Sequence, residues 1–186
     1  MSNEIERFYS EILSIKEILN NTSMPSDVVA FEAMAAKSLV LATGSYFEKA
    51  VRDLLITHIE TMSSSVTLLS FLDKQALSRR FHTMFDWDRE NINKFIRLFG
   101  KEFQEFVEPH LKKEKISSSI KEFIFICRMR NELVHNNFSE FPIEITFDEV
   151  KQKFDIALPL LEFLSQSLIQ CEQACAKITG TEETVV

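Results

Sequence analysis

The sequence predicts an all-α protein, a bundle of about five to seven helices, because two of its features favour helices over sheets. Glycine and proline are scarce, at three and four residues, whereas a β-sandwich or barrel needs many turns. Apolar residues recur at intervals of three and four along most of the chain, which is the period of an amphipathic helix. No repeat or low-complexity segment interrupts this pattern. We therefore predict one helical domain over residues 1–178 and a disordered tail over 179–186.

The first half of the chain is predicted to form three helices. Residues 2–20 carry apolar side chains on one face, and residues 27–62 continue as one long helix with Gly44 near its centre. A glycine inside a helix costs about 1 kcal/mol relative to alanine. The close approach of another helix, or a kink, would explain why the chain keeps it. A third helix is predicted over about 66–81.

The second half begins with "HTMFDWDRE", the least helical stretch of the chain, and ends with two long helices. The serines at 117–119 are candidate caps for a helix that runs to about residue 137. After a loop, "TFDE" at 146–149 has the spacing of a capping box. It opens a final helix over about 147–177, which Pro159 is expected to bend.

The charge of the chain is unevenly distributed. The net charge is −7, which by itself disfavours contact with the phosphates of nucleic acid. Residues 74–130, however, hold 13 Lys and Arg against 8 Asp and Glu, whereas the remainder holds 8 against 20. A local basic surface on an acidic protein is therefore compatible with the sequence, although helical faces can also mix these charges.

Cysteine use and hydropathy indicate the cellular setting. Cys127, Cys171 and Cys175 show no metal-binding spacing with a histidine, and the last two lie one helical turn apart, where a disulfide forms poorly. A reducing cytoplasm is the natural interpretation. The N-terminus is charged and amphipathic, unlike a signal peptide, and no run of about 18 apolar residues predicts a membrane span.

The segment "FICRMRNELVHNNF" at 125–138 places polar residues within an apolar helical pattern. On a helical wheel Asn131 lies inside an apolar stripe, with Arg130 at one edge and His135 at the other, about 140° apart. A second apolar stripe lies nearly opposite the first. Two apolar faces predict a helix that is buried on both sides, either by the rest of the bundle or by a second subunit. The first stripe comprises Ile116, Ile120, Phe123, Ile124, Cys127, Val134 and Phe138, and the second Ile126, Met129 and Leu133.

These polar residue types suit the cleavage of RNA. Asn131 and His135 are four residues apart, so the amide can meet the imidazole and fix its tautomer. A histidine can transfer protons near neutral pH, and an arginine can bind the phosphate and stabilise the transition state without a metal or cofactor. Arg130 cannot easily reach the same point from the same regular helix. It could do so if the helix end were distorted, or if a two-fold axis placed a second copy of this helix alongside.

The pattern also resembles a known family. "RNELVH" at 130–135 is similar to the R-x4-6-H motif of HEPN domains, in which a polar residue commonly follows the arginine. The early helix with "GSYFEKAVRDLL" and the helix after "TFDEV" fit the same HEPN-like helical bundle. The resemblance covers about residues 5–178 and is strongest to small stand-alone HEPN-like nucleases, the RiboL-PSP-HEPN group. It implies a metal-independent endoribonuclease with a composite Arg/His site at a homodimer interface.

Site residues follow from the resemblance. Arg130 and His135 carry over as catalytic residues, and Asn131 as the polar residue beside the arginine. An acidic residue on the early long helix often contacts the motif, and Glu48 is the first candidate here and Asp53 the second. The candidate RNA-binding cations are Arg128, Lys112, Lys113 and Lys115. The resemblance further implies a cytoplasmic toxin or antiphage-defence effector that leaves 2′,3′-cyclic phosphate ends and is restrained by an antitoxin or regulatory protein.

Other interpretations of the same residues stay open. The rival function is a non-catalytic HEPN module for dimerisation or for partner or nucleotide binding, which the acidic net charge favours. A histidine at a helix C-terminus, such as His135, also interacts favourably with the helix dipole without any function. The charged candidates can equally be ordinary solvated helix charges. The remaining histidines, His58, His82 and His110, are predicted to be structural or surface residues.

Overall fold

The computed structural model describes residues 3–22, 25–77 and 80–182, and side chains up to residue 176. It confirms the all-α class, since this part of the chain contains helices and no strand. Beside a π-helical segment over Asp73–Leu77, the helices are α1 (Asn3–Asn21), α2 (Pro25–Met62), α3 (Val66–Leu72), α4 (Phe81–Met84), α5 (Asn93–Arg97), α6 (Lys101–Leu111), α7 (Glu114–His135), α8 (Phe147–Ala157) and α9 (Pro159–Glu182).

The third predicted helix is shorter than expected. The α-helical part ends at Leu72 and passes into the π-helical segment, so the predicted span of 66–81 is wrong at its C-terminal end. Arg52 of α2 donates to both carboxylate oxygens of Asp73, and this fork ties the π-helical segment to α2. A tertiary contact therefore coincides with the change in helix type, and spacing alone does not reveal such a contact.

Helix α7 begins earlier than the serines indicated. It starts at Glu114, so the residues at 117–119 lie inside it and are not its caps. Ser119 is buried, and its hydroxyl donates to the carbonyl of Lys115 at 2.9 Å. A serine within a helix commonly satisfies its hydroxyl in this way by bonding one turn back.

The predicted capping box is confirmed, whereas the single bent helix predicted after it is wrong. The Thr146 hydroxyl accepts from the Glu149 amide at 3.2 Å, and the Glu149 carboxylate accepts from the Thr146 amide at 2.9 Å. The predicted single helix is divided, because α8 ends at Ala157 and α9 begins at Pro159, a favourable first position for proline. The backbone of α9 continues to Glu182, past the start of the predicted tail at 179, and residues 183–186 lie outside the described residues.

Helix α7 is the central element of the bundle. It packs against α2, α8 and α9, and both of its predicted apolar stripes contribute buried residues, among them Phe123 and Leu133. The ring of Phe123 lies 5.2 Å from those of Phe47 and Phe85, in tilted or edge-on contacts that stabilise aromatic cores. The bundle itself therefore surrounds most of α7. The first apolar stripe is not buried along its whole length, because Val134 near the end of the helix is 53% exposed.

Helix α2 crosses the bundle beside α7. By length and composition alone α2 could span a membrane, although its sequence contains no uninterrupted run of about 18 apolar residues. Ten of its residues are nevertheless buried, including Leu39 and Phe47, as in the core helix of a globular domain.

Candidate functional site

Gly44 explains how α2 and α7 approach each other at the polar motif. A Cβ atom at this position would lie 2.6 Å from Cβ and 2.7 Å from Cγ of Arg130, closer than real Cβ contacts. The glycine thus leaves the space that the stem of Arg130 occupies. Of the two explanations that the sequence left open for Gly44, a kink or the close approach of another helix, the close approach is confirmed. The helix that does so presents the arginine of the motif.

Arg130 lies between three polar side chains. Its NH2 group donates to Glu48 Oε2 at 3.0 Å, one helical turn beyond Gly44 on α2. Its NH1 group lies 3.1 Å from His82 Nε2 and donates to Asn131 Oδ1 at 3.3 Å. The side chain is only 18% exposed, so the guanidinium is held at a partly buried position where charge is screened less than at the surface.

His82 comes from the segment that begins α4, and aromatic packing fixes this segment. Phe81 is buried against the rings of Phe85 and Trp87, and the Trp87 indole donates to the His82 carbonyl at 2.8 Å. This packing leaves the imidazole of His82 directed at Arg130. Partial burial lowers the pKa of His82, and the charges of Arg130 and His135 lower it further, while Glu48 and a hydrogen bond with Asn131 oppose them.

His135 is the last residue of α7 and is exposed. It is close enough to His82 for their charges to interact. The chain after it is tied back to α2, because buried Lys37 donates to the Phe138 carbonyl at 2.8 Å. The predicted hydrogen bond between Asn131 and His135 is absent among the described residues, since the Asn131 amide faces Arg130 and His82 instead.

The other predicted residues fall into two groups. Glu48 lies on Arg130 as expected of the first acidic candidate, whereas Asp53 pairs with Arg52 at 3.5 Å and lines a groove between α2 and α9. Asp53 is therefore not part of the cluster.

The candidate RNA-binding cations also lie apart from the cluster. Lys112, Lys113 and Lys115 are exposed at the turn into α7, and by helical rise Lys115 is about 22 Å from Arg130 along the axis. Arg128 lies on α7 with its Nε 3.9 Å from Glu132, and this buried Nε has no hydrogen-bond partner among the described residues. The structure thus does not bring these four cations into contact with Arg130.

His82 is the site residue that sequence reasoning missed. It lies 48 positions before Arg130, and no spacing rule connects the two. The only signal was its place among aromatic residues in "FHTMFDW", which indicated a loop anchored in the core.

Near the cluster, few other described side chains could act as a nucleophile or bind a metal ion. Cys127 is buried one turn before Arg130, and burial raises the pKa of its thiol well above the usual range, which disfavours the reactive thiolate. Within the described ranges no group of three or more His, Cys, Asp or Glu side chains is placed to hold a metal ion.

The fold and the cluster together define a class of protein. A helical bundle whose central helix ends in an arginine, a polar residue and a histidine, with an acidic residue of the long early helix bonded to the arginine, resembles a HEPN domain. The family model described as RiboL-PSP-HEPN matches residues 4–170, and the chain belongs to this family. No curated protein and no solved structure matches the chain significantly.

Proposed function

We propose that this protein is a metal-independent endoribonuclease whose active groups are Arg130 and His135, with Asn131 as a positioning residue. The observation that carries the proposal is the cluster at the end of α7. There Glu48 holds one side of the partly buried Arg130 guanidinium, and NH1 on the other side faces His82. His135 is close enough to His82 for their charges to interact. HEPN domains as a class include ribonucleases and nucleotide-binding helical modules. The chemistry of this cluster favours the former.

The cluster can perform the two tasks that RNA cleavage requires. Arg130 cannot lose its proton, so it can bind a scissile phosphate and stabilise the charge that develops on the phosphorane. His135 is exposed at the end of the same helix and can exchange a proton with the 2′-hydroxyl or the leaving 5′-oxygen. Asn131 bonds the guanidinium and limits its orientations. Attack by the 2′-oxygen would leave a 2′,3′-cyclic phosphate and a 5′-hydroxyl.

The biological setting forms part of the proposal. The family resemblance supports a cytoplasmic toxin or antiphage-defence effector that an antitoxin or regulatory protein restrains. It also supports a homodimer, with the ends of two α7 helices facing each other. Val134 and His135 are exposed at this end of the helix, so a second copy can approach the cluster there.

A second candidate function is a non-catalytic module that binds a nucleotide or a protein partner. Two observations favour it: the net charge is −7, and Glu48 already occupies one side of the Arg130 guanidinium. A scaffold, however, needs no exposed histidine beside a held arginine.

Incubation of purified protein with RNA in the presence of EDTA separates these functions. We expect cleavage that leaves 2′,3′-cyclic phosphate ends and that His135→Ala reduces by at least about 10²-fold, the usual contribution of a proton-transfer group. His110→Ala is the matched control, because His110 lies on α6 against Phe106. Binding of RNA without cleavage would support the module, and activity lost only in EDTA would indicate a metal-dependent nuclease.

A further inference from the structure

His82 differs from the other histidines outside the motif in what it contacts. Its Nε2 lies 3.1 Å from Arg130 NH1, and Asn131 also hydrogen-bonds the ring. His58, by contrast, lies 4.0 Å from Glu172 near α9, and His110 packs on Phe106. Among these three residues, only His82 lies against the guanidinium that would hold the scissile phosphate.

The contact with Arg130 fixes the protonation state of the His82 ring. A guanidinium has donors only, so Nε2 of His82 must accept, and the proton of the neutral ring lies on Nδ1. Protonation of Nε2 would place two cations 3.1 Å apart and remove this hydrogen bond. The free protein therefore presents His82 as a neutral imidazole with a lone pair directed into the cluster.

We propose that His82 is the proton acceptor of the cleavage reaction and that His135 is the proton donor. This inference rests on the proposed ribonuclease function and extends it, since the R-x4-6-H motif does not include His82. The acceptor then belongs to the same chain as the phosphate-binding arginine. A second copy is not needed to supply it.

The proposed step conserves protons and bonds. When phosphate oxygens bind Arg130, its NH1 group turns from His82, and Nε2 is free to accept the proton of the 2′-hydroxyl. The 2′-oxygen forms a bond to phosphorus as the bond to the 5′-oxygen breaks, and His135 donates a proton to that leaving oxygen. His82 ends protonated and His135 neutral, and exchange with water restores both.

The surroundings of His82 suit an acceptor at neutral pH. Burial lowers its pKa; Arg130 and His135 on α7 lower it too, while Glu48 on α2 and the Asn131 hydrogen bond raise it. The net direction is downward, so the ring is neutral over more of the pH range than a free histidine. A general base must be unprotonated, and activity should therefore rise with pH through the pKa of His82.

The test is His82→Gln, because glutamine can still accept a hydrogen bond from Arg130 but cannot take up a proton. We expect kcat/KM to fall by about 10²-fold or more and the rise of activity on the acidic side of the pH profile to disappear. His110→Gln is the control and should keep both. If His82→Gln retains the activity and the pH profile of the original protein, His82 only orients Arg130, and the inference is wrong.

A substrate with sulfur in place of the bridging 5′-oxygen distinguishes the role of His82 as proton acceptor from the role of His135 as proton donor. A thiolate leaves without protonation, so this substrate should restore cleavage by His135→Gln but not by His82→Gln. Any other pattern overturns the assignment of roles. Absence of cleavage by the unaltered protein would instead contradict the proposed function, and the two failures are thereby distinguishable.

Discussion

Two of the arginine–carboxylate pairs in which helix α2 takes part differ in geometry. In the first pair, Arg52 donates through Nε and NH2 to both oxygens of Asp73, each at 2.7 Å. In the second, Arg130 donates to Glu48 through NH2 alone at 3.0 Å. The two-bond fork satisfies the carboxylate with the strongest geometry available to an ion pair, whereas the single contact leaves half of the guanidinium to other groups.

This difference indicates that the Arg52–Asp73 pair stabilises the fold, whereas the Arg130–Glu48 pair belongs to a candidate site. Asp73 begins the π-helical segment, and the pKa of its carboxyl is lowered by the hydrogen bond from Arg52, as in a stable pair. Within the described part of the chain, NH1 of Arg130 contacts His82 at 3.1 Å and Asn131 at 3.3 Å, and neither side chain carries a negative charge. A phosphate could replace these weaker neutral contacts at little cost, because it offers charge-assisted hydrogen bonds in return.

The largest expected difference is between Arg130→Ala and Arg52→Ala. Loss of Arg130 should reduce RNA cleavage by about 10²–10³-fold, because it removes the group that stabilises the transition-state charge. Loss of Arg52 should leave cleavage unchanged and lower the free energy of unfolding by about 1 kcal/mol, since the pair is partly exposed. Cleavage rates and urea unfolding of both variants measure this. An equal loss of cleavage in the two variants would remove the distinction between the pairs.

Gly44→Ala should disturb the contact between Arg130 and Glu48, because the added methyl group displaces the aliphatic part of the Arg130 side chain. The new methyl group would meet Cβ and Cγ of Arg130, so α2 and α7 must move apart. Overpacking costs about 1–3 kcal/mol, which the better helix propensity of alanine offsets by about 1 kcal/mol. We expect lower stability together with weaker cleavage. Ser45→Ala, at an exposed neighbouring position of α2, should change neither, and a Gly44→Ala protein of full activity would contradict the proposed crossing.

The smallest effect is expected from Glu48→Gln, compared with Asp53→Asn. Glutamine keeps a hydrogen bond to Arg130 but removes the charge that holds the guanidinium, so kcat should fall by about tenfold, or roughly 1.4 kcal/mol. Asp53 pairs with Arg52 instead, and its replacement should leave kcat unchanged. Steady-state kinetics distinguish the two, and a loss confined to Asp53→Asn would show that the second acidic candidate was the better one.

Local patterns predicted much of the bundle and pointed to three residues of the candidate site. Periodicity revealed the long helices, the capping box at Thr146 and Glu149 follows from a four-residue spacing, and a glycine inside a helix indicated a close crossing. Arg130, Asn131 and His135 could be proposed together because they lie within one turn and a half of a single helix. Each of these inferences depends on residues that are neighbours along the chain.

Contacts between distant segments could not be predicted in the same way. The sequence determined that α7 would carry the motif and be buried on two sides, because helical spacing fixes which side chains share a face. Only the tertiary structure decided that Glu48 rather than Asp53 meets Arg130, and that His82 joins them. Those partners lie 82 and 48 positions from Arg130. Their distance in space depends on how whole helices pack, which no local spacing encodes.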